Sequence, residues 1–210
     1  MNAYTFFTTH GAEIFSTTLE HLELVLTAMA IAVAIAIPLG IFIVQHPALR
    51  TVALGIASVF QTIPSLALFG FLIPIPFIGG IGKRTAVVAL VLYALLPILR
   101  NTYVGLTGID PAVLEAATAM GMTPWQVMWR VRLPLALSVI LAGIRTATVI
   151  TIGVATIAAA IGAGGLGTFI FRGVAMVSDG VILAGAIPAA LLALIADGLL
   201  ALVERRLRVS

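Results

Sequence analysis

The stretch RNTYVGLTGIDPAVLEAATAMGMTPWQVMWRVRLP, residues 100–134, is the one long polar segment of an otherwise apolar chain. Asp110 before Pro111 is typical of an N-cap followed by proline at the first helical position, and AVLEAATAM contains good helix formers. Gly121 fits the C′ position, where a left-handed residue ends a helix. Thr123 begins a T-x-x-Q capping box with proline at N1. The stretch therefore predicts a helix, a glycine turn and a second helix that leads into the next apolar segment.

The remaining sequence is too apolar for a water-soluble domain. Of the 210 residues, 61% are hydrophobic and 9% are charged, whereas soluble domains carry about 25% charged residues. Most of the surface must therefore face lipid. The net charge of +3 is small and the basic residues are not clustered, which argues against nucleic-acid binding. The absence of cysteine excludes disulfides, thiol catalysis and cysteine-ligated metal, and the first twenty residues lack the basic n-region of a signal peptide.

Apolar segments of roughly the length that crosses a membrane, about 20 residues, recur five times. We predict an all-α membrane protein in which residues 1–210 form a single transmembrane domain. Pro38, Pro64 and Pro188 lie inside these segments, where we expect them to kink helices, and Ile78–Ile81 would lengthen the short third span. The predicted spans are 22–44, 52–73, 85–99, 135–160 and 181–203, with residues 100–134 as the loop between the third and the fourth.

The distribution of lysine and arginine predicts the orientation, because cytoplasmic loops carry an excess of both. With the N-terminus outside, the inner segments carry seven basic residues and the outer segments three. Arg145 falls within a span, and the outer pair Lys83 and Arg84 runs against the rule. We therefore expect an outside N-terminus and a cytoplasmic C-terminus. The inner residues are Arg50, Arg100, Arg130, Arg132, Arg205, Arg206 and Arg208, and the third outer residue is Arg172.

Residues 162–167, GAGGLG, match the G-x-G-x-x-G pattern of a dinucleotide-binding turn, and Asp179 follows. Such a turn must come after a strand and inside a βαβ unit. Here the preceding run, VITIGVATIAAA, is long enough for a helix and lies near the outer face. We interpret the glycines as a tight turn at membrane level that allows close helix contact. Asp179, alongside Ser178, is then expected to cap the fifth span.

The polar segment carries a family resemblance. Glu115-Ala116-Ala117, three residues, Gly121, nine residues and Val131-Arg-Leu-Pro134 resemble the EAA loop of bacterial ABC importer permeases, with valine in place of isoleucine. QTIPSLALFGFLIP, LLPILRNTYVGL, AGIRTATVI and IGAGGLG are similar to permeases of the glycine betaine, carnitine and choline importers. The resemblance implies a multi-pass subunit of the bacterial inner membrane. It also implies a second permease subunit, identical or homologous, two cytoplasmic ATPase subunits and an extracytoplasmic solute-binding protein.

The loop is the segment expected to couple to the ATPase. The chain lacks a G-x-x-x-x-G-K-[ST] loop, so we expect no ATP hydrolysis, catalytic residue, metal or cofactor in it. Glu115 would pair with a basic residue of the partner or cap its own helix, and both remain open. Trp125 and Trp129 share a face and would anchor the second helix at the bilayer surface. The expected coupling residues are Glu115, Ala116, Ala117, Gly121, Leu133 and Pro134.

Polar residues inside the spans have two interpretations. They line a hydrated path for the solute, or they join helices by hydrogen bonds. Tyr93 and Phe60 would offer π-faces to a quaternary ammonium or pack in the core. The candidates for the path are Gln61, Thr62, Ser65, Tyr93, Thr146 and Thr148, and Thr151 raises the same question.

Arg145 and Asp197 are the charges deepest in the spans. They lie about 16 Å and about 10 Å from the same inner face at 1.5 Å per residue. A charge at this depth costs roughly 2.5–3.5 kcal/mol, so we predict an intramembrane ion pair. The alternatives are that Arg145 contacts a substrate carboxylate, or that each side chain snorkels alone.

The function expected from the resemblance is the permease subunit of a binding-protein-dependent ABC importer for a quaternary-ammonium osmoprotectant such as glycine betaine, carnitine or choline. The same architecture would also suit methionine or another amino acid. A stand-alone channel or secondary transporter is a further alternative, although such carriers usually have larger bundles with internal repeats.

Overall fold

The computed structural model describes residues 9–207, and every regular element in that range is a helix. Four helices are long and apolar enough to cross a membrane, namely α1, α4, α6 and α8, and the bent pair of α2 and α3 makes a fifth crossing if it is taken as one span. The helices are α1 (Gly11–Gln45), α2 (Pro47–Thr62), α3 (Ser65–Leu72), α4 (Lys83–Thr107), α5 (Pro111–Ala119), α6 (Pro124–Ile161), α7 (Gly167–Ala175) and α8 (Asp179–Leu207).

The bundle is built around α4, which packs against α1 on one side and α6 on the other, while α8 packs on α6. Small residues allow these helices to approach closely, as is usual in membranes. A Cβ at Gly143 of α6 would lie 2.6 Å from the Cβ of Asn101 and 2.8 Å from the carbonyl oxygen of Pro97 on α4. We call the end of the bundle with residues 108–123 the loop end, and the end with residues 162–166 the turn end.

The helix that contains the first predicted span, 22–44, is longer than that span. Helix α1 begins at Gly11 and has 35 residues, about 52 Å at 1.5 Å per residue, which exceeds the roughly 30 Å of bilayer hydrocarbon. Its first turns carry Glu13 and Glu20, which contact Arg172 and the backbone N–H of Gly165 at the turn end. A search for apolar windows misses these turns because polar contacts, and not lipid, stabilise them.

The second predicted span, 52–73, is wrong as a single kinked helix. It consists of α2 and α3, which are bent by 104° at a break of two residues, Ile63 and Pro64. Proline lacks an N–H and disfavours the helical conformation of the residue before it, and here Ile63 is extended with ψ 126°. Pro38 and Pro188 lie inside α1 and α8, which continue through them. Ile78–Ile81 is not helical, so it does not lengthen the third span.

The helices that contain the third and fourth predicted spans, 85–99 and 135–160, are also longer than those spans, and the segment between the two helices is smaller than the predicted loop of residues 100–134. Helix α4 continues to Thr107, and α6 runs without interruption from the second loop helix to the turn end. Pro134 does not break α6 because a wide π-helical turn, Met128–Arg132, directly precedes it. The N–H of Leu133 donates to the carbonyl of Met128 there. The loop proper is therefore residues 108–123.

The fifth predicted span, 181–203, corresponds to α8, and the predicted role of Asp179 needs correction. Asp179 is the first residue of the helix. The carbonyl oxygen of Ser178 accepts hydrogen bonds from the N–H groups of Val181 and Ile182, so Ser178 holds the N-cap position and Asp179 adds negative charge to the first turn. Arg208, counted in the orientation argument, lies outside the described residues.

The glycine-rich segment is a turn, as predicted. A short 3₁₀ helix, Ala158–Ile161, ends α6, and Gly162, Gly164 and Gly165 have φ of 74°, 81° and 77°. No strand precedes the segment within the described residues. The dinucleotide-binding interpretation is therefore excluded.

Candidate functional site

The ends of α5 are fixed by the predicted caps. The carboxylate of Asp110 accepts a hydrogen bond from the N–H of Ala112 at 2.9 Å. At the other end Gly121 has φ 79°, its N–H donates to the carbonyl of Thr118, and the N–H of Met122 donates to the carbonyl of Ala117. This pair of bonds is a Schellman motif. Both helix boundaries predicted from sequence are thus confirmed.

Helix α5 presents an open surface beside the bundle. Glu115 and Ala116 are exposed and Ala117 is buried. Among residues 9–207 the Glu115 carboxylate makes no hydrogen bond and no ion pair, so local capping does not occupy it. A cleft of about 630 Å³ separates α5 from the end of α1 and the start of α6. The helix is therefore available to a partner on its outer side.

The start of α6 is equally well defined. The N–H of Thr123 donates to Oε1 of Gln126 at 2.8 Å, and the N–H of Gln126 donates to Oγ1 of Thr123 at 3.3 Å, which is the predicted capping box. The rings of Trp125 and Trp129 lie 5.2 Å apart, and both side chains are exposed. The two tryptophans form one aromatic surface next to α5.

Leu133 and Pro134, the end of the EAA-like pattern, lie inside α6 and not in the loop. Leu133 packs against a buried cluster that includes Leu106, Met128 and Ile140. Pro134 is exposed on the surface of the bundle. The structure thus separates the pattern into an exposed part on α5 and a part that joins α6 to the core.

The polar residues around the break between α2 and α3 are mostly engaged in hydrogen bonds. The side chain of Gln61 donates from Nε2 to the carbonyl of Tyr93 at 3.1 Å, and the Tyr93 hydroxyl donates to the carbonyl of Ile63. Thr62 is exposed and bonds the carbonyl of Val59 on its own helix. Ser65 begins α3 and is half-buried. Gln61 and Tyr93 therefore join α2 to α4 across the break.

The threonines of α6 bond to their own helix or to a neighbour. Thr146 and Thr148 donate to the carbonyls of Ala142 and Ile144, four residues earlier. Thr146 is exposed and Thr148 half-buried. Thr151 is fully buried, and its Oγ1 lies 3.6 Å from the sulfur of Met29 on α1.

Arg145 bridges two carboxylates of α8. Its Nε lies 3.5 Å from Oδ1 of Asp197, and its Nη1 lies 3.3 Å from Oε2 of Glu204. The structure thus brings Arg145 and Asp197 together and adds Glu204, which was not among the residues predicted from sequence. Residues seven apart share a helix face, and this spacing was the available signal. The cluster carries one positive and two negative charges.

A second polar network lies at the turn end and was not predicted from the sequence. His21 is fully buried and its Nε2 lies 3.2 Å from the carbonyl oxygen of Ile152, while Glu20 accepts from the N–H of Gly165. Glu23 forms an ion pair of 2.8 Å with Lys83. Three polar side chains within four residues of α1, those of His21, Glu20 and Glu23, thus contact α6, the glycine turn and α4, respectively. The sequence signal was the run EHLE, residues 20–23, at the start of the first predicted span.

A bundle of apolar helices with a capped helix pair at one end and a charge cluster between two of its helices has the architecture of the membrane-embedded component of a transporter. The chain belongs to the family of binding-protein-dependent transport system inner membrane components, whose model matches residues 23–209. It is therefore a multi-pass membrane protein, and a stand-alone channel or secondary transporter is the wrong class.

The most informative similar proteins are permeases named for osmoprotectants or for carnitine or choline. The chain is 45% identical to the carnitine transport permease protein OpuCB of Listeria monocytogenes over 203 residues, which cover 97% of this chain and 92% of the relative. It is 44% identical to the choline transport system permease protein OpuBB of Bacillus subtilis (96% and 92% covered). It is 48% identical to the osmoprotectant import permease protein OsmW of Salmonella typhimurium (88% and 87% covered). The predicted resemblance to osmoprotectant permeases is confirmed.

Solved structures share the fold. An inward-facing conformation of the MetNI methionine ABC transporter matches with a TM-score of 0.82 at 24% identity, covering 92% of this chain and 95% of that one. An amino acid ABC transporter with histidines matches with a TM-score of 0.81 at 20% identity, covering 98% and 99%. The all-helical permease fold is thus the one observed in ABC transporters.

Proposed function

We propose that this chain forms the translocation path of an importer for a quaternary-ammonium osmoprotectant such as glycine betaine, carnitine or choline. The observation that carries the proposal is the identity of 44–48%, over most of the chain, to permeases named for carnitine, choline or osmoprotectants. Methionine or another amino acid is the second candidate. It rests on structures at 20–24% identity, a level that concerns the fold alone.

The proposed assembly contains a second permease subunit, identical or homologous, two cytoplasmic ATPase subunits and an extracytoplasmic solute-binding protein. A single bundle of five crossings is small for enclosing a solute, so a path at the interface of two bundles is favoured. ATP hydrolysis belongs to the separate ATPase, because this sequence has no phosphate-binding loop, and the chain itself needs no cofactor. Helix α5, with exposed Glu115 and Ala116, is the proposed contact with the ATPase.

The proposed orientation puts the loop end in the cytoplasm, the N-terminus outside and the C-terminus inside. It is supported by the seven basic residues against three in the two sets of connecting segments. Exposed Trp125 and Trp129 beside α5 are suited to the membrane interface. In this orientation the glycine turn and the exposed Glu20 face the solute-binding protein.

The break between α2 and α3 is the proposed point where the solute passes. Discontinuous helices provide free backbone groups at membrane depth, and Thr62 and Ser65 flank the break with hydroxyl groups. Gln61 and Tyr93 hold the break in place through their hydrogen bonds to α4 and to Ile63. Thr146, exposed on α6, and Thr148 complete the proposed lining. Specificity is expected mainly from the solute-binding protein.

Uptake by the assembled importer tests the substrate class. The chain is reconstituted into vesicles with its ATPase and binding-protein partners, and entry of radiolabelled glycine betaine, carnitine, choline and methionine is measured with ATP. Vesicles with an ATPase variant that cannot hydrolyse ATP are the control. We expect ATP-dependent entry of at least one quaternary-ammonium compound and none of methionine. Entry of methionine alone would contradict the proposal.

A further inference from the structure

A groove between α2 and α4 at the loop end carries two arginines. Arg50 lies in the first turn of α2, with its guanidinium carbon 4.9 Å from the ring centroid of Tyr103. Arg100 of α4 and Thr51 of α2 line the same groove, and both arginines are exposed. Among residues 9–207 no carboxylate lies within ion-pair distance of either one. Two neighbouring cations without an acidic partner favour an anionic occupant.

The groove becomes mainly apolar past the arginines. Its volume is about 420 Å³, and this part is lined by Leu54, Gly55 and Leu96, with Ser58 as its one polar residue. Arg100 lies seventeen residues after Lys83 on α4, about 25 Å along the helix, so the two mark opposite surfaces of a hydrocarbon layer of about 30 Å. The cationic part thus lies at headgroup level and the apolar part at the level of acyl chains.

We propose that this groove binds an anionic phospholipid, whose phosphate contacts Arg50 and Arg100 and whose acyl chain follows Leu54 and Leu96. Basic pockets between transmembrane helices are suited to acidic headgroups, and the hydroxyl of Thr51 supplies a further donor. A free phosphate ester would leave the apolar part of the groove uncovered. A quaternary-ammonium solute would be repelled by the two guanidinium groups, so the groove is separate from the proposed solute path.

Lipid competition on the purified chain tests the proposal. The chain in detergent is incubated with equal amounts of phosphatidylglycerol and phosphatidylcholine of the same acyl chains, and retained lipid is measured by native mass spectrometry. We expect retention of phosphatidylglycerol. The double variant Arg50→Gln and Arg100→Gln should bind it about 30-fold more weakly, roughly fivefold for each arginine, whereas Arg50→Lys with Arg100→Lys should keep most of the preference.

The matched control is Arg205→Gln with Arg206→Gln, which removes the same charge from the last turn of α8 and should leave retention unchanged. Equal retention of both lipids by the wild-type chain would overturn the proposal, and so would an equal loss in the two double variants. Displacement of the lipid by glycerol phosphate at the same concentration would assign the groove to a free phosphate ester. A changed oligomeric state of the Arg50 and Arg100 variant in phosphatidylcholine nanodiscs would assign it to a second copy. Either result would also overturn the proposal.

Discussion

Replacement of Arg145 by methionine should destabilise the bundle by about 3 kcal/mol. Methionine keeps much of the side-chain volume but leaves Asp197 and Glu204 on one face of α8 without a cation. Each contact of 3.3–3.5 Å corresponds to a Coulomb energy of about 5 kcal/mol at an effective dielectric constant of about 20. Desolvation offsets most of that attraction, and loss of one partner from a buried pair costs about 3–5 kcal/mol. The lower value applies because the Asp197 side chain is half exposed.

Thermal unfolding of the purified chain in lipid nanodiscs measures the effect. A loss of about 3 kcal/mol should lower Tm by roughly 6–12 °C for a chain of this size. The control is Arg84→Met, at an exposed arginine that forms no ion pair among the described residues. An exposed substitution of this kind changes the free energy of unfolding by about 0.5 kcal/mol or less.

A triple variant separates the loss of pairing from a simple loss of packing. In Arg145→Met with Asp197→Leu and Glu204→Leu no charge is left in the cluster, so most of the stability should return. This design is cleaner than exchanging Arg145 and Asp197, since an aspartate at 145 would face Glu204. The reasoning is refuted if the single variant unfolds within 2 °C of its control, on the scale of roughly 2–4 °C per kcal/mol. It is equally refuted if the triple variant is no more stable than the single one.

Three further predictions concern the loop end, the break and the orientation. Glu115→Lys and Gly121→Val should leave membrane abundance unchanged but abolish solute-stimulated ATPase activity of the assembled importer, since they alter the surface of α5 and the angle at which the chain leaves it. The control Gly121→Asn should retain activity, because asparagine tolerates positive φ. Normal stimulation in the first two variants would contradict the coupling role. Tyr93→Phe should lower Tm by roughly 2–4 °C, because it removes a hydrogen bond worth about 1 kcal/mol between α4 and Ile63, and an unchanged Tm would show that this bond is not needed to hold the break. A cysteine at exposed Val177 should react with an impermeant thiol reagent in intact cells and one at Thr107 should not, and the reverse labelling would invert the proposed orientation.

Local signals in the sequence were sufficient to predict the helix caps of the loop. The caps at Asp110, Gly121 and Thr123 depend on residues within five positions of each other, so residue type and spacing determine them. The Schellman bonds and the capping box are observed where they were predicted. The residues of the partner that α5 would contact were not predictable, since they lie in another chain.

Most contacts between distant parts of the chain were not predictable in the same way; the pair of Arg145 and Asp197 was, because both charges stand out within apolar spans. Glu20 and Gly165 are 145 positions apart, and nothing in either local sequence indicates the other. The same contacts explain why α1 extends beyond the predicted span. The break at Pro64 was predicted only as a kink, because the sequence is apolar on both sides of the proline and the angle depends on how α3 packs against α4.

The uninterrupted course of α6 has a mechanical consequence. With 38 residues it is a rod of about 57 Å, joined to α5 by a short turn at one end and to the glycine turn at the other. A tilt of about 10° around its midpoint would displace each end by about 5 Å in opposite directions. Arg145 lies near the middle of this rod, where its contacts with α8 change least during the tilt. The same helix can therefore act as a lever with its fulcrum at the charge cluster, so that a displacement of its end at one membrane surface moves its other end at the opposite surface.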